Sequence, residues 1–521
     1  MPLSRSGFRA ICALILLAAA CGARAEVSVP AFFGSGMVLQ RDQPLRIWGR
    51  ADVGEKVTVT LDEFSAAVEP SADGRWQVSL PARPANIVPL VLTVKGRNEL
   101  RFTNVLIGDV WLCSGQSNMN FRLKQAAGGA EAIAGASFPG IRLFTVAREV
   151  AAAPQFDVKG RWEVCSPETV GGFSAVAFFF GRHLHESQGV PVGLIHSSWG
   201  GTAAESWTPR ATLASSDELK PILTRWDAAV ADFPRLKAEF EASRERLVAE
   251  WKIAVAEAKK NGRTAPAEPR LRTGPGTQYE PAGLFHAMIA PLATLPLRGV
   301  IWYQGEANAS RAAQYRTLFP ALIGAWRDAW GRADLPFLYV QLPNLDRQPE
   351  PSRSGWAELR EAQLMTLATP NTGMAVTIDV GDPKDLHPAN KHDVGKRLAL
   401  VAEARVHGLS ADGRLSPVFT RTEAVEARMR IHFKTTERLA VRTADDEVKG
   451  FVIAGADQVF HPARARIEGE TVLVWSDAVA APAAVRYAWA DNPDCNLVSS
   501  AGLPASPFRS DDWPAVTTGK R

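Results

Sequence analysis

An apolar run, Val105 to Cys113, stops abruptly in Ser114-Gly115-Gln116-Ser117-Asn118-Met119. A short continuous apolar run bounded by turn residues reads as a strand buried on both faces. Such a strand needs helices above and below it, which restricts the chain to an α/β arrangement around a mostly parallel sheet. The turn after it holds Ser117. A serine in a sharp turn at the carboxyl end of a strand, ahead of a helix, is well placed to act as a nucleophile. An isolated Gly-x-Ser is far more often an ordinary turn, so the other segments have to decide.

From about residue 105 apolar strands alternate with helical stretches. Expected strands are 105–113, 192–196, 299–303, 337–341 and 374–378. Expected helices are 174–188, 312–330 and 356–368, with a further helical face over 390–405. Residues 26–104 instead show short alternating runs such as Val57-Thr58-Val59-Thr60 and Trp76-Gln77-Val78-Ser79-Leu80, separated by turns. They read as a small β-sandwich, with Met37 to Arg41 packing between modules. Strand patterns return over 410–521, a second β-rich module with a loop-rich tail. The α/β domain is thus placed at 105–409. An insertion, 211–270, carries mixed charges at i,i+4 spacing and reads as a solvated helical hairpin.

Residues 1–25 read as a signal peptide. Arg5 and Arg9 precede a short apolar stretch, followed by Ala23-Arg24-Ala25. The expected location is secreted or periplasmic. Cys21 raises a lipoprotein alternative, disfavoured by Ala18 three residues before it. Removing Arg5, Arg9 and Arg24 takes the formal charge from +4 to +1. A near-neutral chain argues against nucleic-acid and anionic-membrane partners. No integral membrane segment is expected after cleavage. Hydrophobic content of 46% with 22% charged residues is that of a globular protein. Cys113, Cys165 and Cys495 remain, an odd number. There is no CxxC and no His/Cys cluster, so no metal site is expected.

Four segments stand at the carboxyl ends of expected parallel strands, where open α/β sheets place their sites. They are the Ser117 turn; His196-Ser197-Ser198-Trp199-Gly200-Gly201-Thr202; Gln304-Gly305-Glu306-Ala307-Asn308; and Asp379 to Pro388, which holds carboxylates beside His387. A nucleophilic hydrolase needs a serine, a base, a group that orients the base, and donors for an oxyanion. Each requirement is met on a separate strand end. His196 is a weaker base candidate, because it precedes a glycine pair at a strand end.

The Gly-Gln-Ser-Asn-Met, Trp-Gly-Gly-Thr, Tyr-Gln-Gly-Glu and Asp-x-His-Pro sequences together resemble the sialate O-acetylesterase family, a branch of the SGNH hydrolases related to carbohydrate acetyl esterases. The resemblance spans nearly the whole chain after residue 25. It implies an SGNH/flavodoxin-like three-layer domain. It implies Ser117 as nucleophile and His387 as general base. The backbone N–H of Ser117, a glycine N–H at Gly200 or Gly201, and the Gln304 side chain would form the oxyanion hole, with Asn308 as a further donor. Glu306 would fix its loop. Many SGNH hydrolases carry Asp three residues before the histidine, where this chain has Lys384. Asp385 is therefore the expected orienting acid, with Asp382 in reserve and a Ser–His dyad as the third possibility.

The implied reaction is acyl transfer from an O-acetylated sugar to Ser117 and then to water, with no cofactor. Sialic acid 9-O-acetyl esters are the expected substrate. Acetylated plant polysaccharide (xylan or pectin) is the alternative. A carbohydrate-binding protein without activity is the reading from a different class.

Overall fold

The apolar run is the inner part of a 17-residue strand, β1 (Glu99–Gly115). The computed structural model describes residues 26–261, 265–266, 268–271, 274–346, 354–442 and 447–521; the expected leader, with Cys21, lies outside them. The first half of β1 pairs antiparallel with Asn86–Lys95, and Leu106–Gly108 pairs with the short strand Val38–Gln40. From Asp109 onward it pairs in parallel with two strands of the central sheet. One strand therefore runs unbroken through residues 104 and 105, where the sequence reading divides two modules. Asp109, fully buried, pins the junction by pairing with Arg41 at 2.8 Å and Arg298 at 2.7 Å.

The other central strands are β2 (Phe138–Thr145), β3 (Trp162–Cys165), β4 (Val192–Ser198), β5 (Gly299–Tyr303), β6 (Phe337–Val340) and β7 (Thr372–Ala375). Their order is β7-β6-β5-β1-β4-β2-β3. All neighbours are parallel except β2 and β3. The chain leaves β1 for β2 and β3 on one side, returns to β4 beside β1, and then crosses to β5, β6 and β7 on the other, so the carboxyl end of β1 is the switch point, where a crevice opens in such sheets. The longer helices are α1 (Ala175–Gln188), α2 (Lys220–Lys260), α3 (Ala312–Trp330), α4 (Gly355–Met365) and α5 (His392–Arg405). They pack as the pairs α1–α5 and α3–α4. Trp111 of β1 meets Phe180 of α1, whereas Trp302 of β5 meets Phe319 and Trp326 of α3. Trp302 is in register with Ser114, three positions beyond Trp111, so the two rings leave opposite faces of the sheet. Helices therefore cover both faces, and strands buried on both sides read as continuous apolar runs.

β2 and β3 are absent from the sequence reading. Pro139 and Gly140 open β2, and Arg142 interrupts its apolar pattern. Arg142 is nonetheless buried, because its guanidinium donates to Pro139 O, Gly36 O, Asn104 O and Asn104 Oδ1.

The expected hairpin in the insertion is instead one continuous helix of 41 residues, α2. It contains no glycine, and Pro234 lies within it without ending it. Ion pairs at i,i+4, Arg235–Glu239 at 2.5 Å and Arg246–Glu250 at 2.7 Å, carry the pattern past Pro234. The return segment lies along it: Trp251 Nε1 donates to Pro266 O at 2.8 Å.

Beyond α5 are two four-stranded antiparallel sheets. One is Val418–Val425, Arg428–Lys434, Thr471–Trp475 and Arg464–Glu468. The other is Phe460–Pro462, Phe451–Ala454, Ala484–Tyr487 and Phe508–Arg509. This region is fastened to the α/β domain by Arg360 of α4, whose guanidinium is fully buried and donates to Leu342 O, Pro343 O, Ala490 O and Asp491 O. The final residues return as well, with Ala313 N donating to Thr517 Oγ1 at 2.9 Å. Among the described residues no helix is long and apolar enough to cross a membrane.

Candidate active site

β1 ends at Gly115, with φ of 136°. A Cβ there would lie 2.1 Å from Tyr303 O, so only glycine lets β1 and β5 stay paired while the chain turns. Gln116 N donates to Tyr303 O at 3.0 Å, which fixes the turn. Ser117 then begins one helical turn, Ser117–Asn120. The first N–H groups of a helix have no acceptor within it.

The glycine pair after β4 closes on this turn. A Cβ on Gly200 would sit 3.3 Å from Ser117 Cβ, so the Gly200 backbone rests against the serine. Gly201 follows with φ of 77°, and Gln278 Nε2 holds Gly200 O at 2.9 Å. Among the described residues the N–H groups of Ser117, Gly200 and Gly201 donate to no protein acceptor. Free donors gathered around one serine are what an oxyanion requires.

Asn118 joins this turn to the histidine loop. Its Nδ2 donates to Leu386 O at 3.0 Å. Asn118 follows Ser117 and Leu386 precedes His387, so that one bond brings the serine and histidine segments together across 268 residues. His387 N donates to Asp385 Oδ1 at 2.8 Å, and the same oxygen lies 3.9 Å from Nδ1. Asp385 is the acidic partner of the imidazole among the described residues. Asp382 instead accepts from Lys384 N at 2.8 Å and shapes the turn. His387 Nε2 is buried, and among the described residues neither it nor the Ser117 hydroxyl has a hydrogen-bond partner. Catalytic hydrogen bonds of this kind often form only around bound substrate. Burial lowers the His387 pKa; Asp385 opposes that shift and Lys391 reinforces it.

A further group packs beside the serine turn, joining Asn118 and Glu306 to Lys391, which the sequence reading did not single out. Asn118 Nδ2 also donates to Glu306 Oε1 at 2.5 Å, and Lys391 Nζ donates to Asn118 Oδ1 at 2.6 Å. The amide thus stands between a buried carboxylate and a buried ammonium. Burial pushes Lys391 down to about 7, against the pull of Glu306 and Asp385. Burial also raises Glu306, opposed by the Asn118 bond and by Lys391. The Lys391 ammonium lies over the Phe121 and Tyr303 rings at 4.9 and 5.6 Å. One local signal pointed to it: Lys391 is the cap residue of α5, a cation at the end of a helix that favours anions.

The Gln304 side chain does not present a free donor, contrary to the sequence expectation. Its Nε2 donates to Asn308 Oδ1 at 2.7 Å and Thr202 O at 3.4 Å, and its Oε1 accepts from Tyr315 at 3.0 Å. With both amide hydrogens engaged, Gln304 orients Asn308. Asn308 Oδ1 also accepts from Ala204 N at 3.0 Å, and Nδ2 donates to Glu205 at 2.8 Å, leaving one amide hydrogen without an acceptor. His196 is buried in β4 and joined to Ser198 Oγ at 2.6 Å, and burial, with Arg148, pushes its pKa down to about 3, so the ring stays neutral. Arg148 bonds Asn120 Oδ1 at 2.5 Å and Ser198 O at 3.4 Å, and lies over the Trp199 ring at 5.8 Å. It has no acidic partner among the described residues. Cys113 is buried in β1, and burial raises its thiol pKa.

The sequence model of one family, described as carbohydrate esterase, sialic acid-specific acetylesterase, matches residues 107–240 and 277–403, half of the chain. The chain belongs to this family. It is a carboxylic ester hydrolase, and the matched residues carry all four strand ends. Sialate O-acetylesterase of Rattus norvegicus is 29% identical over 95% of this chain and 96% of its own length. That of Mus musculus is 30% identical over 91% and 92%. A carbohydrate acetylesterase of Xanthomonas citri, known from a crystal structure, is 39% identical with a TM-score of 0.79, covering 94% of this esterase and 100% of that chain. That likeness supports an SGNH-like fold for the esterase.

Proposed function

We propose that this chain removes O-acetyl groups from sialic acids, with Ser117 as nucleophile and His387 as general base. The observation that carries the reading is the Asn118 bond to Leu386 O, which holds the serine and histidine segments together beside unengaged N–H groups. His387 Nε2 takes the Ser117 proton as Oγ attacks the acetyl carbonyl. The negative oxygen is met by the N–H groups of Ser117 and Gly200 or Gly201, with Asn308 Nδ2 adding a donor. Each such donor is worth roughly 2.7–4 kcal/mol of barrier. The imidazolium protonates the sugar oxygen as it leaves. Water, deprotonated by His387, then frees acetate. Asp385 steadies the imidazolium through its charge beside Nδ1. Arg148, without an acidic partner among the described residues, supplies a cation for the sialic acid carboxylate.

A second reading is a different acetylated sugar, such as acetyl-xylan. The Xanthomonas citri relative favours it, being more similar in sequence than the sialate O-acetylesterases and described only as a carbohydrate acetylesterase. The deciding experiment compares acetate release from 9-O-acetyl-N-acetylneuraminic acid and from acetyl-xylan. Faster release from the sialic acid ester is expected. Release from xylan alone would overturn the sialate assignment while leaving the Ser117 mechanism intact. Export through the leader 1–25 completes the proposal, placing the enzyme where secreted or periplasmic glycans are met.

A further inference from the structure

Away from Ser117, a cavity of about 700 Å³ lies between the N-terminal strands and the α/β domain. That volume suits a saccharide of a few units. One wall is an antiparallel ribbon, Leu45–Arg50 paired with Arg75–Leu80. In its register Trp48 faces Gln77 and Arg50 faces Arg75, so these four side chains share one face. The opposite wall is a loop, Pro154 to Phe156, with Pro291 beside it.

The arginine pair breaks a local rule. Like charges directly across a strand pair destabilise it. Here both guanidiniums converge on one ring, Arg50 at 4.6 Å and Arg75 at 5.7 Å from the centre of Phe156. Arg75 meets Asp73 at 3.2 Å, but Asp73 does not line the cavity. Arg50 has no acidic partner among the described residues, and no carboxylate lines the cavity. The cavity therefore offers two positive forks, an aromatic surface and amide groups. Guanidinium forks match a carboxylate, and aromatic rings beside amides suit the mixed apolar and hydroxylated faces of a sugar.

The loop also links the two sites. Arg148 stands beside the serine turn and Pro154 at the cavity, six residues apart, a span of at most about 20 Å. We propose that this cavity is a second glycan-binding site, which holds a carboxylate-bearing sugar of the same chain whose acetyl group reaches Ser117. The inference rests on the esterase reading for its substrate class. Its ligand chemistry, a sugar carboxylate, is common to sialic acids and to uronic acids.

The test is a titration of full-length protein carrying Ser117→Ala, so that no turnover occurs, followed by tryptophan fluorescence. Probes are oligosialic acid, a glucuronic-acid-bearing xylo-oligosaccharide, and neutral xylohexaose. At least one acidic probe is expected to bind saturably and more tightly than xylohexaose. Arg50→Ala with Arg75→Ala is expected to weaken that binding at least tenfold, and Arg148→Ala to leave a cavity-bound component. Which acidic probe binds more tightly identifies the acid. In the Ser117 enzyme the double variant should raise KM for the acetylated glycan while turnover of p-nitrophenyl acetate stays unchanged. Saturable binding of neither acidic probe, equal binding of acidic and neutral probes, or wild-type affinity in the double variant would each overturn the site. Failure of the esterase reading would appear separately, as p-nitrophenyl acetate turnover that does not depend on Ser117.

Discussion

Replacing Lys391 with methionine tests whether the buried relay beside the serine turn is a charge pair carried through Asn118. Methionine keeps much of the side-chain volume but removes the donor to Asn118 Oδ1 and the cation nearest Glu306. Leaving one member of a buried ion pair costs about 3–5 kcal/mol. Here the loss is capped, because Glu306 is already held above the usual carboxylate range by burial and can take up a proton. A carboxyl whose folded pKa is raised loses stability as pH rises from its unfolded value through the folded one. Without Lys391 that pKa rises further. Lys391, held down to about 7, keeps its charge at pH 6 and has lost most of it at pH 8, so the expected cost of Lys391→Met is about 3 kcal/mol at pH 6, where the paired charge is present, and a different cost is expected at pH 8. Glu306→Gln in the same chain removes the stranded charge and should return about 1–2 kcal/mol of coupling. Urea unfolding of the four proteins at both pH values reads these terms, and p-nitrophenyl acetate turnover reads the site. Because Asn118 also holds Leu386 O, a 10- to 100-fold fall in kcat/KM is expected for Lys391→Met, about 1.4–2.7 kcal/mol of barrier. Equal costs at the two pH values together with strict additivity of the two substitutions would refute the paired-charge account.

Gly200→Ala brings a methyl carbon to 3.3 Å from Ser117 Cβ and displaces a donor N–H. A fall in kcat of about 10²-fold on p-nitrophenyl acetate is expected, with little change in melting temperature. Asp385→Asn removes a charge that raises the His387 pKa, so the acid limb of the kcat/KM profile should move to lower pH; a limb that stays in place would separate Asp385 from the histidine. Arg148→Ala should raise KM about tenfold for a sialic acid ester and leave p-nitrophenyl acetate unaffected, which steady-state kinetics on both substrates will read.

The four strand ends were legible in the sequence because strands buried on both faces are plain apolar runs, and their carboxyl ends break into glycine and polar residues. The α3 bounds, 312–330, were read directly for a related reason: the apolar period is long and Gly331 ends it. What escaped was set by distant partners. β2 hid behind Arg142, whose burial is possible only because carbonyls from residues 36 and 104 reach it. The Glu306–Asn118–Lys391 relay joins residues 188 and 273 positions apart, and no local pattern encodes that meeting. The Gln304 amide looked free because its acceptor, Asn308, is a neighbour only once the loop has folded. The helix α2 was divided in two because charged helices of 41 residues are rare in globular domains, although it contains no glycine.

The central claim is that an acetyl group passes through Ser117. It is tested most directly by acid-quenching the enzyme during turnover of p-nitrophenyl acetate and mapping the acetyl group by peptide mass spectrometry. The account predicts acetylation on the peptide containing Ser117, lost in Ser117→Ala together with acetate release, and accumulating poorly in His387→Ala. Acetate release by Ser117→Ala at the wild-type rate, or an acetyl group trapped on another residue while Ser117 stays free, would contradict it.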